Sequence, residues 1–146
     1  MIQDFVKAWE SKKEDLRQYI STHRQEEYHE YEDLVKILFD VVINPWLDEE
    51  YSWEKHWDTS QVHVIDDGDY QGTQLFLVPK CTYQPESYDY VITYQGYGSC
   101  SGCDLLQSIH YYEDGLPSKE QVDQYMMLIL HLLQRCKIPF SIDDHD

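Results

Sequence analysis

The chain has 146 residues, 42% of them hydrophobic and 14% aromatic, which is enough apolar side-chain area for one domain with a real core. Its formal net charge of −17 comes from 28 acidic against 11 basic residues. Because nucleic acids and anionic membranes are bound mainly through cations, this charge argues against direct contact with either and favours a basic protein partner; the alternative is that the charge only keeps a small protein soluble.

Targeting signals are not evident in the sequence. MIQDFVKAWESKKEDL lacks the basic start and apolar run of a secretory signal, and no apolar stretch approaches the length of a membrane span. Four cysteines in a chain of this size are typical of free thiols in a reducing compartment. We therefore expect a cytoplasmic protein.

The N-terminal part, residues 1–44, is predicted to be helical. A short separate helix is expected before Ser11, which forms a capping box with Glu14. Apolar residues then recur at spacings of three and four, which predicts one long helix or two nearly collinear helices that end before Pro45. The polar stretch THRQEEYHE in the middle is expected to project into solvent or to contact a partner.

Residues 45–60 are predicted to be an irregular connector rich in tryptophan and acids. Trp46, Trp53 and Trp57 stand there among five acidic residues. Because exposed tryptophan is costly, we expect the three rings to fold back as a lid on the core. The alternative is that the connector is an aromatic and acidic contact surface.

Residues 61–112 are predicted to contain an antiparallel sheet of three or four strands. The segments 61–65, 73–78 and 88–94 are rich in β-branched and aromatic residues and are separated by turn-forming stretches. Residues 104–111 fit either a short helix or a strand.

Residues 117–137 are predicted to form an amphipathic helix that packs on the sheet. Ser118 and Gln121 form a capping box. Its buried stripe is predicted to be Val122, Tyr125, Met126, Ile129, Leu130 and Leu133. The predicted fold is a single α+β domain.

The C-S-G-C sequence is the first candidate site. Cys100 and Cys103 could hold Zn²⁺ with His110 or Cys81, and Cys136, His63 and His56 are further possible ligands, although the spacing of a closed four-ligand site is missing. The alternatives are a redox-active thiol pair at a helix start and a glycine-rich turn with small buried cysteines. The turn is favoured.

The second candidate site is the sequence DDGDYQG. It begins like a calcium loop, but the twelfth position is Val78 instead of a bidentate glutamate, so a hairpin turn is favoured. Asp66, Asp67 and Asp69 could still bind a weak divalent cation or a partner's arginine. No hydrolase or nucleotide-binding motif is found, so we expect no enzymatic activity.

The segments VHVIDDGDYQGTQLFLVP and DYVITYQGYGSCSGCDLLQSI together resemble a group of short uncharacterised proteins encoded by bacteriophages and prophages of Gram-positive bacteria. The resemblance covers residues 62–109 and carries no assigned activity. It implies a phage context, in which small acidic proteins often inhibit host defence by presenting carboxylates where a nucleic-acid-binding effector expects phosphates.

The leading hypothesis is an acidic, non-enzymatic phage-type protein that inhibits a basic, nucleic-acid-handling protein of the bacterial host. Residues 41–146 carry most of the excess charge, a net −13 against −4 for residues 1–40. The alternatives are a metal or thiol module and a phage assembly protein that self-associates through its long helix. The predicted partner-binding residues are Asp48, Glu49, Glu50, Glu54, Asp66, Asp67 and Asp69.

Overall fold

The computed structural model describes residues 2–68, 72–86, 89–98, 104–110 and 115–138. The predicted α+β fold is confirmed. The helices are α1 (Ile2–Thr22), α2 (Tyr31–Ile37), α3 (Asn44–Glu50), α4 (Leu105–His110) and α5 (Lys119–Gln134); the strands are β1 (His63–Asp66), β2 (Gly72–Pro79) and β3 (Tyr90–Tyr97). Short 3-10 turns at Gln25–Tyr28 and Thr59–Gln61 and a π-helical turn at Leu38–Ile43 complete the described elements.

The sheet is antiparallel with strand order β1-β2-β3. Its inner face is formed where Phe76 pairs with Thr93 and Val78 with Val91, and all four side chains are buried. On β3, therefore, the face with Val91 and Thr93 covers the core. The sheet ends at Tyr97. The segment 104–111, whose sequence fitted either a short helix or a strand, contains the helix α4.

The first helix differs from its prediction, because it passes through Ser11 without interruption. The predicted separate helix and the capping box at Ser11 are wrong. Phe5 and Leu16, on either side of Ser11, are both buried, so one continuous apolar face makes the uninterrupted helix favourable. Within the described ranges, no helix is both long enough and apolar enough to cross a membrane.

The second half of the predicted long helix is not collinear with the first. In a straight helix Phe5 and Phe39 would lie roughly 50 Å apart at 1.5 Å per residue, yet their ring centroids are separated by 6.0 Å. The chain folds back at the 3-10 turn, where Tyr28 and Gln25 are buried. The expectation that this polar stretch projects into solvent is wrong for these two side chains. The Tyr28 hydroxyl donates to the Ile20 carbonyl at 3.0 Å.

Two hydrogen bonds join this turn to Gly115, shortly before α5. The Gln25 amide donates to the Gly115 carbonyl at 2.7 Å, and the Gly115 amide donates to the Glu26 carboxylate at 2.5 Å. Gly115 has φ +91°, a left-handed conformation that favours glycine. The side chain of Arg24 also pairs with Glu26 at 2.8 Å. The bond from the Gly115 amide, which contributes most, and the bond from the Arg24 side chain lower the pKa of Glu26 to about 2.

The predicted helix stop at Asn44-Pro45 is also wrong. Asn44 keeps helical angles (φ −64°, ψ −44°), and its amide bonds to the Phe39 carbonyl in the π-helical turn. The regular α-helical hydrogen bonds of α2 end at this π-helical turn. Pro45, which has no N–H to donate, therefore occupies the first turn of the next helix, α3. The Asn44 side chain holds this conformation through two bonds to the Trp57 backbone, at 2.8 and 2.9 Å.

The connector is therefore partly helical and partly folded back. The prediction of a lid holds for Trp46 and Trp57, which are buried, but not for Trp53, which is 77% exposed. After α3 the chain crosses to the end of β2, where Trp57 forms a bridge with Lys80. The connector thus lies at the Pro79 end of β2.

The C-terminal helix begins as predicted. Ser118 Oγ accepts from the Gln121 amide at 3.2 Å, and the Gln121 side chain accepts from the Ser118 amide at 2.8 Å. The predicted stripe is buried except for Leu130, which is half-buried. The helix packs on α1 and on β3, where Thr93 Oγ1 donates to the Leu132 carbonyl at 2.6 Å. Self-association through α1 stays a prediction, although the apolar face of α1 is buried inside this chain.

Candidate partner-binding site

The last turn of α3 carries three consecutive exposed carboxylates, Asp48, Glu49 and Glu50. Helical structure runs without interruption from Tyr31 to Glu50, and the last turn of α3 contains no basic residue. The C-terminal end of a helix carries partial negative charge, so an exposed carboxylate there is unfavourable by about 0.3–1 kcal/mol. The structure thus places these three predicted partner-binding residues, which are consecutive in the sequence, at the end of a helix where the dipole disfavours negative charge.

Most carboxylates of the connector have basic neighbours within the chain. The ion pairs are Lys12–Glu49 at 2.5 Å, His56–Asp48 at 2.7 Å and Lys80–Glu54 at 2.6 Å. The last pair is the most shielded, with side-chain exposures of 13% and 19%. Among the described residues, Glu50 has no ion-pair partner. Pairing reduces the local field of the connector without removing its excess of carboxylates.

Four aromatic rings, including that of Phe5, and two carboxylates line a cavity of about 270 Å³ beside these acids. The Trp46 and Tyr51 ring centroids are 5.6 Å apart with planes inclined by 75°, and those of Tyr51 and Trp53 are 6.0 Å apart at 74°. Asp4 and Glu54 also line the cavity. Among the described residues, Asp4 pairs with the exposed Lys7, at 4.0 Å. Sequence reasoning missed Asp4, because nothing in its local pattern links it to the connector.

The DDGD turn lies at the other end of the sheet. β1 ends at Asp66 and β2 begins at Gly72, whereas the connector contacts β2 at Pro79, whose carbonyl accepts from the Asp58 amide. Seven residue steps along an extended strand separate these ends by roughly 24 Å. Asp69 lies outside the described residues. The predicted partner-binding residues thus form two separate groups.

The carboxylates of Asp66 and Asp67 accept hydrogen bonds from neighbouring residues of the hairpin. The Asp66 carboxylate accepts from the Tyr97 hydroxyl, from the Gly68 amide at 3.0 Å and from the Gln74 side chain at 3.2 Å. These bonds, that of Tyr97 first, lower the pKa of Asp66. Asp67 accepts from the Thr73 amide at 2.8 Å. Both carboxylates therefore have a structural role in the hairpin.

The predicted metal site falls largely outside the described part of the chain. Cys100 and Cys103 lie outside it, and His110 is the last residue of α4. Cys136 is buried, which raises the pKa of its thiol to about 12. Cys81 is exposed. Within the described residues, no three side chains of His, Cys, Asp or Glu are grouped as a metal site requires. Zinc binding by Cys100 and Cys103 stays a prediction.

The residue directly after the C-S-G-C sequence, Asp104, has a buried carboxylate that bonds to Gly98, two residues before that sequence. Asp104 is 6% exposed and accepts from the Gly98 amide at 2.9 Å through Oδ2. Its Oδ1 accepts from the Tyr31 hydroxyl at 2.7 Å and from the amides of Leu106 and Gln107 at 3.0 and 3.2 Å. Asp104 is thus the N-cap of α4. The sequence signal was an aspartate directly before LLQSI, which was not recognised as a cap.

The larger cavity of about 390 Å³ lies next to this carboxylate and is lined in part by Tyr31, Tyr97 and Gln107. The polar atoms of Asp104 are all used in hydrogen bonds of the fold, so this cavity offers no free carboxylate from that residue.

Comparison with known proteins adds no assignment: no family model, no curated protein and no solved structure matches the chain.

Proposed function

We propose that the chain is a non-enzymatic binding protein that docks onto a basic, nucleic-acid-handling protein of a bacterial host and inhibits it. The observation that carries the proposal is the row Asp48, Glu49 and Glu50 at the negative end of a helix, next to the exposed Trp53. The phage context is what the sequence resemblance implies. The expected compartment is the host cytoplasm.

The physical support is a conflict between stability and charge placement. A basic residue in the last turn of α3 would stabilise the helix, yet all the charged side chains of that turn are carboxylates. An arginine or lysine from a partner would relieve this repulsion and would donate hydrogen bonds to the same carboxylates. Trp53 supplies an apolar surface beside them, and tryptophan is enriched at the energetically important positions of interfaces.

The existing ion pairs do not block such binding. The exposed pair His56–Asp48 contributes about 0–1 kcal/mol, so a partner's guanidinium can replace it at little cost, whereas Lys12, whose side chain is only 12% exposed, keeps Glu49 as its partner. Glu50 has no ion-pair partner among the described residues, so a cation of the partner protein can bind it without displacing another side chain. We therefore centre the proposed interface on the connector, and we leave Asp66 and Asp67 in their structural role.

The proposal is tested with an arginine- and lysine-rich peptide of about 15 residues, labelled with a fluorophore. We expect its affinity to fall steeply when NaCl rises from about 50 to about 300 mM, because the Debye length shortens over this range. An affinity that is indifferent to salt would contradict the proposal.

A matched pair of triple variants separates the connector from net charge. Each variant removes three exposed carboxylates, so both reach the same net charge. We expect the connector variant to bind at least tenfold more weakly than the control, whereas equal weakening would show that only net charge matters. The connector variant is Asp48→Asn with Glu49→Gln and Glu50→Gln, and the control is Glu14→Gln with Glu86→Gln and Glu120→Gln.

The class of partner is tested with proteins from a Gram-positive host that bind the parent chain but not the connector variant. We expect such a protein to bind DNA or RNA and to release it when the chain is added. A stable ternary complex with bound nucleic acid would contradict inhibition by occupation of that surface.

A further inference from the structure

The cavity between α1 and the connector has the walls of a cation-binding cage. Trp46, Tyr51 and Trp53 line it, with successive ring planes inclined by 75° and 74°, so the rings surround the cavity in different orientations. An aromatic face carries negative electrostatic potential and attracts a cation within about 6 Å. Trp53 is 77% exposed and stands at the solvent side.

Carboxylates complete the cage. Asp4 belongs to the first turn of α1, and its interaction with Lys7 spans 4.0 Å, with 74% of the lysine side chain exposed, which is a weak surface contact. Glu54 uses Oε1 for its bonds to the Lys80 side chain and the Lys55 amide, and Oε2 takes part in neither. A cation in the cavity would therefore lie among aromatic rings and anionic oxygens together.

The chain already contains one example of this chemistry. Lys80 lies between the Glu54 carboxylate, at 2.6 Å, and the Trp57 ring, with its ammonium 5.3 Å from the ring centroid. The neighbouring cavity again combines tryptophan rings with carboxylates, but no cationic side chain is among its described lining residues.

We propose that this cavity takes the guanidinium group of an arginine side chain from the basic partner. Arginine is favoured over lysine because its planar group stacks on aromatic faces, is more weakly hydrated than an ammonium and offers several N–H donors to two carboxylates. The inference rests on the proposed function for the source of the arginine; the chemistry of the cavity does not depend on it.

The test uses the full-length chain, ¹⁵N-labelled, and capped arginine amide as the probe. The indole N–H signals of the four tryptophans are followed during titration. We expect the signals of Trp46 and Trp53 to shift with millimolar affinity, and capped citrulline, which has a similar shape but no charge, to bind at least tenfold more weakly. Equal binding of both probes would overturn the proposal, and tighter binding of capped trimethyl-lysine would assign the cavity to a quaternary ammonium instead.

Variants localise the binding. Trp53→Ala and Asp4→Asn should each weaken arginine binding about tenfold, which corresponds to about 1.4 kcal/mol. Tyr83→Ala is the matched control, because Tyr83 is 89% exposed and does not line the cavity. Since Trp53 is itself mostly exposed, its replacement should leave the thermal unfolding midpoint unchanged. Loss of binding by the Tyr83 variant as well, or no loss in either cavity variant, would refute the site.

The same variants separate this inference from the proposed function. If the basic peptide binds in a salt-dependent manner but is unaffected by Trp53→Ala and Asp4→Asn, the arginine cage is wrong and the acidic interface stands. If the arginine probe binds the cavity and the peptide does not bind, the cage stands and the proposed function is wrong.

Discussion

The carboxylates at the end of α3 are predicted to reduce the stability of the chain, and one pair of substitutions tests this directly. Glu50 lies in the last turn of α3, at the negative end of the helix dipole, whereas Glu120 lies in the first turn of α5, at the positive end. Both side chains are exposed, and neither has an ion-pair partner among the described residues. Replacement of each by glutamine changes the net charge equally and keeps nearly the same helix propensity.

The magnitude follows from the position of each charge. A charge in the terminal turn of a helix interacts with the dipole by about 0.3–1 kcal/mol. Glu50→Gln should therefore raise the free energy of unfolding by about 0.3–1 kcal/mol, and Glu120→Gln should lower it by about the same amount. The two variants should differ by about 0.6–2 kcal/mol, or roughly 2–8 °C in unfolding midpoint.

The assay is urea denaturation followed by circular dichroism, supported by calorimetry. The difference between the variants should shrink at about 1 M NaCl, where the Debye length is about 3 Å and exposed dipole interactions are screened. If both variants shift in the same direction by the same amount, overall charge repulsion explains the data and the reasoning about α3 is refuted. In that case the row of carboxylates would no longer support a partner-binding role.

Three further predictions concern the fold. Asp104→Asn should destabilise the chain by about 1–3 kcal/mol in urea denaturation, because the Asn amide N–H would then face the buried Gly98 N–H that Oδ2 now accepts; a neutral effect would contradict the buried Gly98–Asp104 bond. Glu26→Gln should destabilise at pH 7, and its difference from the parent should fade as the pH drops from the ordinary pKa of a glutamate towards 2, since the folded-state pKa of Glu26 is lowered to about 2. A difference that is constant with pH would contradict this. Gly72→Ala should destabilise by about 1–3 kcal/mol, because its Cβ would lie 2.9 Å from the Gly68 Cα, whereas Gly96→Ala, with 3.8 Å to its nearest atom, should be tolerated; equal thermal unfolding midpoints for the two variants would refute the steric argument.

The arrangement of the candidate partner-binding residues was only partly predictable from the sequence. The sequence identified the connector acids and considered an aromatic contact surface there, but it also placed Asp66 and Asp67 in the same interface. Pairing of the strands moves these two acids to the opposite end of β2 and uses their oxygens in the hairpin. Asp4 joins the connector cavity only because the chain folds back after α1, a long-range event that leaves no mark on the residues around Asp4.

By itself, the sequence determined the features that depend on local spacing. The capping box at Ser118, the apolar stripe of α5 and the β-branched runs of the strands are set by residues a few positions apart, so they were predicted with nearly correct bounds. Tertiary structure alone decided where helices stop and which polar groups meet. Asn44 stays helical before a proline because its side chain binds the distant Trp57 backbone, and Asp104 is buried because it caps α4 while binding Tyr31. These outcomes depend on contacts between residues far apart in sequence, whose free energy outweighs the local preference of the backbone.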